Sequence, residues 1–183
     1  MTTTPNDVLA ALAAGDHVAA KHAAYHLPYG AGTLELVRVC LEAAAHSAAE
    51  LAACRLPVGG ATTELVRACL EAGNHDAAWW AAHYLPVGGA TLELVRACLA
   101  AGARAAAMWA AYRLPDGCST AHADIGPYAV QSFELDGEPW LLVGCELHPA
   151  AEWVECAEAI DERYGSPGLA DQTRALAERL LAD

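Results

Sequence analysis

Cys118-x3-His122 and Cys145-x2-His148 are the residues closest to a recognisable chemistry in this chain. Thiolate and imidazole are the side chains zinc favours, and two short pairs on either side of one hairpin could converge on a tetrahedral site. Their spacing fits no zinc-finger pattern, so the expectation is no bound metal and no cofactor. Three more cysteines, Cys40, Cys69 and Cys98, recur at one register of a repeat, on the inward face of a helix, where a thiol packs as a small hydrophobe. A total of seven cysteines is odd, and no secretory leader precedes them, which favours reduced thiols. For catalysis the chain offers no Gly-x-Ser-x-Gly, no Gly-rich loop after a strand and no His-Glu-x-x-His. Carboxylates crowd residues 146–162, but abundance on a helix surface is not a site. The expectation is a protein that binds rather than catalyses.

The elements that would position any site come from a repeat. Leu-Pro recurs at 27–28, 56–57, 85–86 and 114–115, in steps of 29 residues. Three copies span 17–45, 46–74 and 75–103, a partial copy spans 104–117, and residues 4–16 match the second half of the unit. A fixed period of this size predicts a stacked repeat array. Each copy reads as two helices. The first is Ala-rich and stops at the proline, which disfavours helix before it. A Gly-rich turn follows. The second helix has Thr91 at its N-cap and Glu93 in its first turn in the clearest copy, with Val95, Cys98 and Leu99 on one face and Gly102 as its stop. Neither helix can bury its face alone, so neighbours must stack. His17, His46 and His75 open successive copies, Arg104 the fourth, and the histidines are expected to satisfy local backbone groups or to stack between copies.

The pattern AAxxAAxxLxxGGATLELVRACL resembles the short HEAT-like repeats of about 30 residues, over roughly residues 4–120. The turns here, Gly-Asn-His between units and Pro-Val-Gly-Gly within them, stand where that family often has Asp-Pro and Gly-Asp-Pro. The resemblance implies a right-handed α-solenoid that serves as a binding scaffold, with the second helices lining the binding groove. A minority of such proteins are chromophore lyases, but no lyase motif is present to carry over.

After Leu114-Pro115-Asp116-Gly117 the chain changes character. Residues 118–127 read as a loop. YAVQSFEL (128–135) and EPWLLVGCEL (138–147) around Asp136-Gly137 predict a β-hairpin. A lone hairpin is marginal in water and must pack on something, with the end of the array as the expected support. Helices are predicted over 149–165, with Trp153, Cys156, Ala157 and Ile160 on one face, and over 169–182. The fold class expected is mainly α: a HEAT-like solenoid over 4–117, closed by an acidic capping subdomain over 118–183 made of the hairpin and two helices.

Charge bounds the partner. The chain carries −13 in all, but residues 1–117 hold seven basic against ten acidic side chains and residues 118–183 hold three against thirteen. Direct nucleic-acid binding needs a basic footprint and is disfavoured. A basic protein, or one that itself binds nucleic acid, fits better. No run of 18 apolar residues exists and MTTTPNDV is not a secretory signal, so the expected compartment is the cytoplasm.

Three surfaces are candidates for the contact. The first is the polar stripe of the second helices, Glu35, Arg38, Glu64, Arg67, Glu93 and Arg96, whose plainer meaning is a solvated ladder of ion pairs. The second is the aromatic group Trp79, Trp80 and Trp109, with His83, Tyr84 and Tyr112; adjacent Trp79 and Trp80 are expected to point apart. The third is the acidic helix, with Glu152, Glu155 and Glu158. Together they predict a non-enzymatic protein-binding module, in its sharper form an acidic inhibitor of the immunity or anti-defence type that blocks a basic nucleic-acid-binding protein. The alternatives are a chromophore- or small-molecule-handling protein and an architectural homo-oligomer.

Overall fold

The computed structural model describes residues 2–118, 121–125, 128–164 and 168–182, with the side chains of 121–124, 160, 161, 163 and 164 outside the description. The chain is mainly helical with a small antiparallel sheet. It divides into two compact units, Met1–Leu114 and Pro115–Asp183. Among the described residues no helix is long and apolar enough to cross a membrane.

The first unit contains α1 (Pro5–Ala13), α2 (His17–Tyr25), α3 (Leu34–Glu42), α4 (His46–Ala53), α5 (Thr63–Glu71), α6 (His75–His83), α7 (Leu92–Ala100) and α8 (Arg104–Tyr112). Among helices adjacent in sequence, the close pairs are α1 with α2, α3 with α4, α5 with α6 and α7 with α8. Each hairpin is therefore a second-type helix followed by a first-type one, a helix out of phase with copies cut at the histidines. The cause is loop length. A three-residue link such as Ala72–Asn74 forces its helices to be antiparallel neighbours, whereas the link over 26–33 is long enough to part them. The first-type helices also pack in the series α2, α4, α6, α8, and the second-type in the series α1, α3, α5, α7.

The short links have one construction. The second-type helix ends on a left-handed residue at 15, 44, 73 or 102, with φ of 69°, 53°, 66° and 73°. The next residue donates its N–H to the carbonyl five residues back, as Asn74 does to Cys69 at 2.9 Å, which closes a Schellman turn. That same residue is the N-cap of the following helix. Asp16 and Asn74 cap with their side chains, on Ala19 N and Ala77 N, while Ala45 and Ala103 have none to offer. At the other links Thr33, Thr62 and Thr91 each accept from the backbone three residues on, at 3.1–3.3 Å, as the sequence predicted for Thr91.

The core of this unit is built from small side chains. Ala48, Ala49, Ala52 and Ala53 on α4, with their equivalents on α6 and α8, are buried, and alanine lets helix backbones approach closely. Leu65, Val66 and Cys69 on α5, with their equivalents on α3 and α7, supply the larger apolar volume.

The second unit holds β1 (Ala121–Ile125), β2 (Tyr128–Leu135), β3 (Glu138–Val143), β4 (Glu146–Pro149), α9 (Ala150–Tyr164) and α10 (Leu169–Ala182). The strands form a four-stranded antiparallel meander in the order β1-β2-β3-β4. This differs from the hairpin expected. Part of the predicted loop is a strand, because Ala121–Ile125 pairs with Tyr128–Ser132. The long second strand is two, because Gly144 takes φ 54° and lets β4 turn back onto β3. The turn at Asp136-Gly137 is present, both residues having positive φ. The sheet finds its support inside its own unit. Ile125, Val130, Leu141 and Val143 pack with Ala150 and Trp153 of α9 and with Leu169, Leu176 and Ala177 of α10. Trp153 is buried and its indole N–H donates to the Leu141 carbonyl at 3.0 Å, fastening α9 to β3. Cys156 is half-buried beside this core, and Ile160 lies outside the described side chains.

Candidate functional site

The ladder begins with the caps. Thr33, Thr62 and Thr91 start α3, α5 and α7 at one register, so the glutamate two residues on and the arginine five residues on fall at equivalent places in all three helices. Leu36, Val37 and Cys40 of α3 and their counterparts turn inward, and Glu35, Arg38, Glu64, Glu93 and Arg96 are exposed. Arg67 is half-exposed, and its guanidinium crosses from α5 to Glu93 on α7 at 3.0 Å. Hydrogen bonds from Glu64's own backbone N–H, and from the Thr62 and Thr63 side chains, hold its carboxyl below the usual range, with Arg38 adding a smaller pull. Between α3 and α5 the ladder borders an open groove of about 460 Å³, lined by Arg38, Leu41, Glu42, Ala68, Glu71 and Ala72. The site is thus a strip of alternating charge beside a groove lined by both charged and apolar side chains. Such a strip can match a surface of complementary charge.

The aromatic residues form a different kind of cluster. Trp79, Trp80, Trp109 and Tyr112 are half-buried and Tyr84 is buried. Trp79 and Trp80 do not point apart: their ring centroids lie 4.3 Å from each other. Adjacent helix positions are turned by about 100°, and two indoles are long enough to meet across that angle. Trp80 stacks on Tyr84 at 6.1 Å, and His83 stands edge-on to Trp109 at 4.2 Å. Burial, with Arg113 nearby, holds His83 below the ordinary imidazole range. Much of this area is spent on contacts within the unit.

At one further register, Arg55 and Arg113 had no role in the sequence reading, and Tyr84 stood only in the aromatic group. Position 55, 84 or 113 follows the end of each later first-type helix by one or two residues. From it a side chain reaches back about one repeat: Arg55 Nη2 donates to the Tyr25 carbonyl (2.9 Å), the Tyr84 hydroxyl to Cys54 (3.2 Å) and Arg113 Nη2 to His83 (2.8 Å). The backbone carbonyls of these same three residues accept from Gly32, Ala61 and Ala90 of the preceding turn. At the first joint a Cβ on Gly32 would collide with the Ala52 carbonyl oxygen, whereas the other two joints carry alanine, Ala61 and Ala90, at the same register. The signal in the sequence was a long donor side chain at every copy of one register. Asn74 adds a further link, from its amide to the His46 carbonyl at 2.9 Å. His17, His46 and His75 themselves sit on the first turns with exposed side chains.

The acidic helix has internal partners. Glu158 meets Arg174 of α10 at 3.0 Å. Glu152 Oε1 lies 2.9 Å from His148 Nδ1, an electrostatic approach without hydrogen-bond alignment, while His148 Nε2 meets Glu146 at 3.2 Å. Glu155 is exposed. Of the four residues considered for zinc, Cys118 is half-buried, Cys145 exposed, and His148 engaged by the two glutamates; the His122 side chain lies outside the described residues. Among the described residues no three His, Cys, Asp or Glu side chains converge as a metal site. The repeat cysteines Cys40, Cys69 and Cys98 are fully buried, and burial pushes their thiols up to about 11, about 12 and about 12. They stay protonated and serve as core.

Compared with protein-family models, with curated proteins and with solved structures, the chain gives no match.

Proposed function

We propose that the first unit is a HEAT-like solenoid and that the chain is a non-enzymatic protein-binding module, with Glu35, Arg38, Glu64, Arg67, Glu93 and Arg96 as its principal contact surface. The observation that carries this reading is the ladder's exposure at one register of three successive second-type helices, beside a groove lined by both charged and apolar side chains. Folding needs little from these charges. An exposed pair such as Arg67–Glu93 stabilises by about 0–1 kcal/mol. The same charges held on rigid helices can select a partner by complementarity, which acts on orientation and association rate. The half-buried aromatic cluster is the weaker candidate, since its rings are already engaged with one another.

The excess of acid in residues 118–183 favours a basic partner, and a nucleic-acid-binding protein blocked by this chain is the sharper form of the proposal. Glu155, exposed on α9, would contribute directly, and Glu152 and Glu158 would have to share or exchange their present partners. The test is affinity capture from source-cell lysate with the natural chain and with Arg38→Glu/Arg67→Glu/Arg96→Glu, each washed through a salt series. A protein retained by the natural chain, released as salt rises and absent from the variant, is the result expected. Identical proteins on both, at every salt concentration, would remove the ladder as the contact.

A further inference from the structure

We propose that His22 and His26 form a binding site for a transition-metal cation of the zinc, nickel or copper(II) class, at the outer end of the first unit. The two residues are four apart, in HAAYH, His22 on α2 and His26 at its C-cap. Residues at this spacing share a helix face, and here the ring centroids are 4.5 Å apart. Both side chains are exposed, so their ring nitrogens can turn toward one cation. A pair of imidazoles on successive turns of a helix is an established way to hold zinc, and imidazole also suits copper and nickel.

The repeat supplies an internal control for what folding asks of these positions. In later copies position 22 becomes Leu51, Trp80 and Trp109, and position 26 becomes Arg55, Tyr84 and Arg113. There the first member joins the packing, and the second reaches back to the carbonyl of the preceding first-type helix. At 22 and 26 both side chains are instead exposed and their rings meet each other, and both are metal-ligating. The surroundings favour a cation: His22 shares a depression of about 610 Å³ with Asp7 and Asp16. The Asp7 carboxylate accepts from Thr4 and that of Asp16 caps α2, so they supply field rather than coordination. With two protein ligands the remaining positions go to water or to a donor from outside, which makes the site open and exchangeable, unlike a closed four-ligand zinc site.

Calorimetric titration of the full, tag-free, reduced chain with zinc chloride tests this, alongside His22→Ala, His26→Ala and, as a control exposed histidine on another helix, His46→Ala. The natural chain and His46→Ala should show the same site. Each of the other two should weaken it by about tenfold or more, since loss even of an outer partner of a ligand has effects of that order. Circular dichroism should be unchanged, because both side chains are exposed. Histidine ring signals in NMR should shift at 22 and 26 on adding zinc. No binding to the natural chain, or undiminished binding to both variants, would overturn the site.

Discussion

At the scale of single residues, the link between second-type and first-type helices makes the sharpest demands. Three of its four left-handed positions are glycine, and the fourth is Ala44 at φ 53°. Alanine pays a steric penalty there that glycine avoids, partly offset by glycine's greater freedom in the unfolded chain. Ala44→Gly should therefore stabilise the first unit by about 0.5–1 kcal/mol, and Gly73→Ala should destabilise it by a similar amount, both read from denaturant midpoints. Asn74 carries two bonds at once, the cap on Ala77 and the amide link to His46. Its replacement by alanine should cost about 2 kcal/mol, and aspartate, which keeps the cap and loses the donor, should recover about half. The cap residues, the glycine stops and the buried register of Cys40, Cys69 and Cys98 were legible in the sequence, because each follows from backbone chemistry or helical period. The contact between Trp79 and Trp80 was not, because sequence spacing fixes the angle between two side chains and not how far they bend to meet.

The buried thiols carry a pH dependence. In the unfolded chain they would ionise near the ordinary value of 9.0, whereas in the folded chain they hold their protons to about 11 or 12. The unfolded state loses protons first as pH rises, so stability present below pH 9 should fall between there and about 11–12. A denaturant midpoint lower at pH 10 than at pH 8 is the result expected. At pH 8 a thiol reagent should label exposed Cys145 quickly and these three only at the rate of unfolding.

At the scale of elements, the repeat period was plain but its phase was not. A period has no beginning, and the histidines that seemed to open each copy sit on the second helix of a hairpin. Loop length decides the pairing, through three-residue links at 14–16, 43–45, 72–74 and 101–103. The extra strands of the second unit were missed for local reasons. Ala121–Ile125 has one β-branched residue, and Gly144-Cys145 gives a weaker turn signal than Asp136-Gly137. The joints between successive first-type helices rest on the reach-back donors, and their worth is measurable. Tyr84→Phe removes one neutral bond and should cost about 1 kcal/mol, while Arg113→Ala removes a charged donor to the His83 carbonyl and should cost about 1.5–3 kcal/mol. Equal, negligible losses in both would mean that the apolar contacts alone hold the helices in register.

At the scale of the whole molecule, the charge asymmetry and the change of character after Gly117 are visible from composition, whereas the two compact units divide between Leu114 and Pro115. The ladder could be placed in advance because the threonine caps set one register for three helices. Its division of labour with the aromatic cluster could not, since that depends on how much each ring is already covered. The proposed function rests on the ladder being where a partner lands. Hydrogen–deuterium exchange of the chain, free and with its captured partner, addresses this most directly. Added protection in peptides covering α3, α5 and α7 is the result predicted. Protection confined to α6 and α8, where the tryptophans lie, with α3, α5 and α7 unchanged, would contradict it.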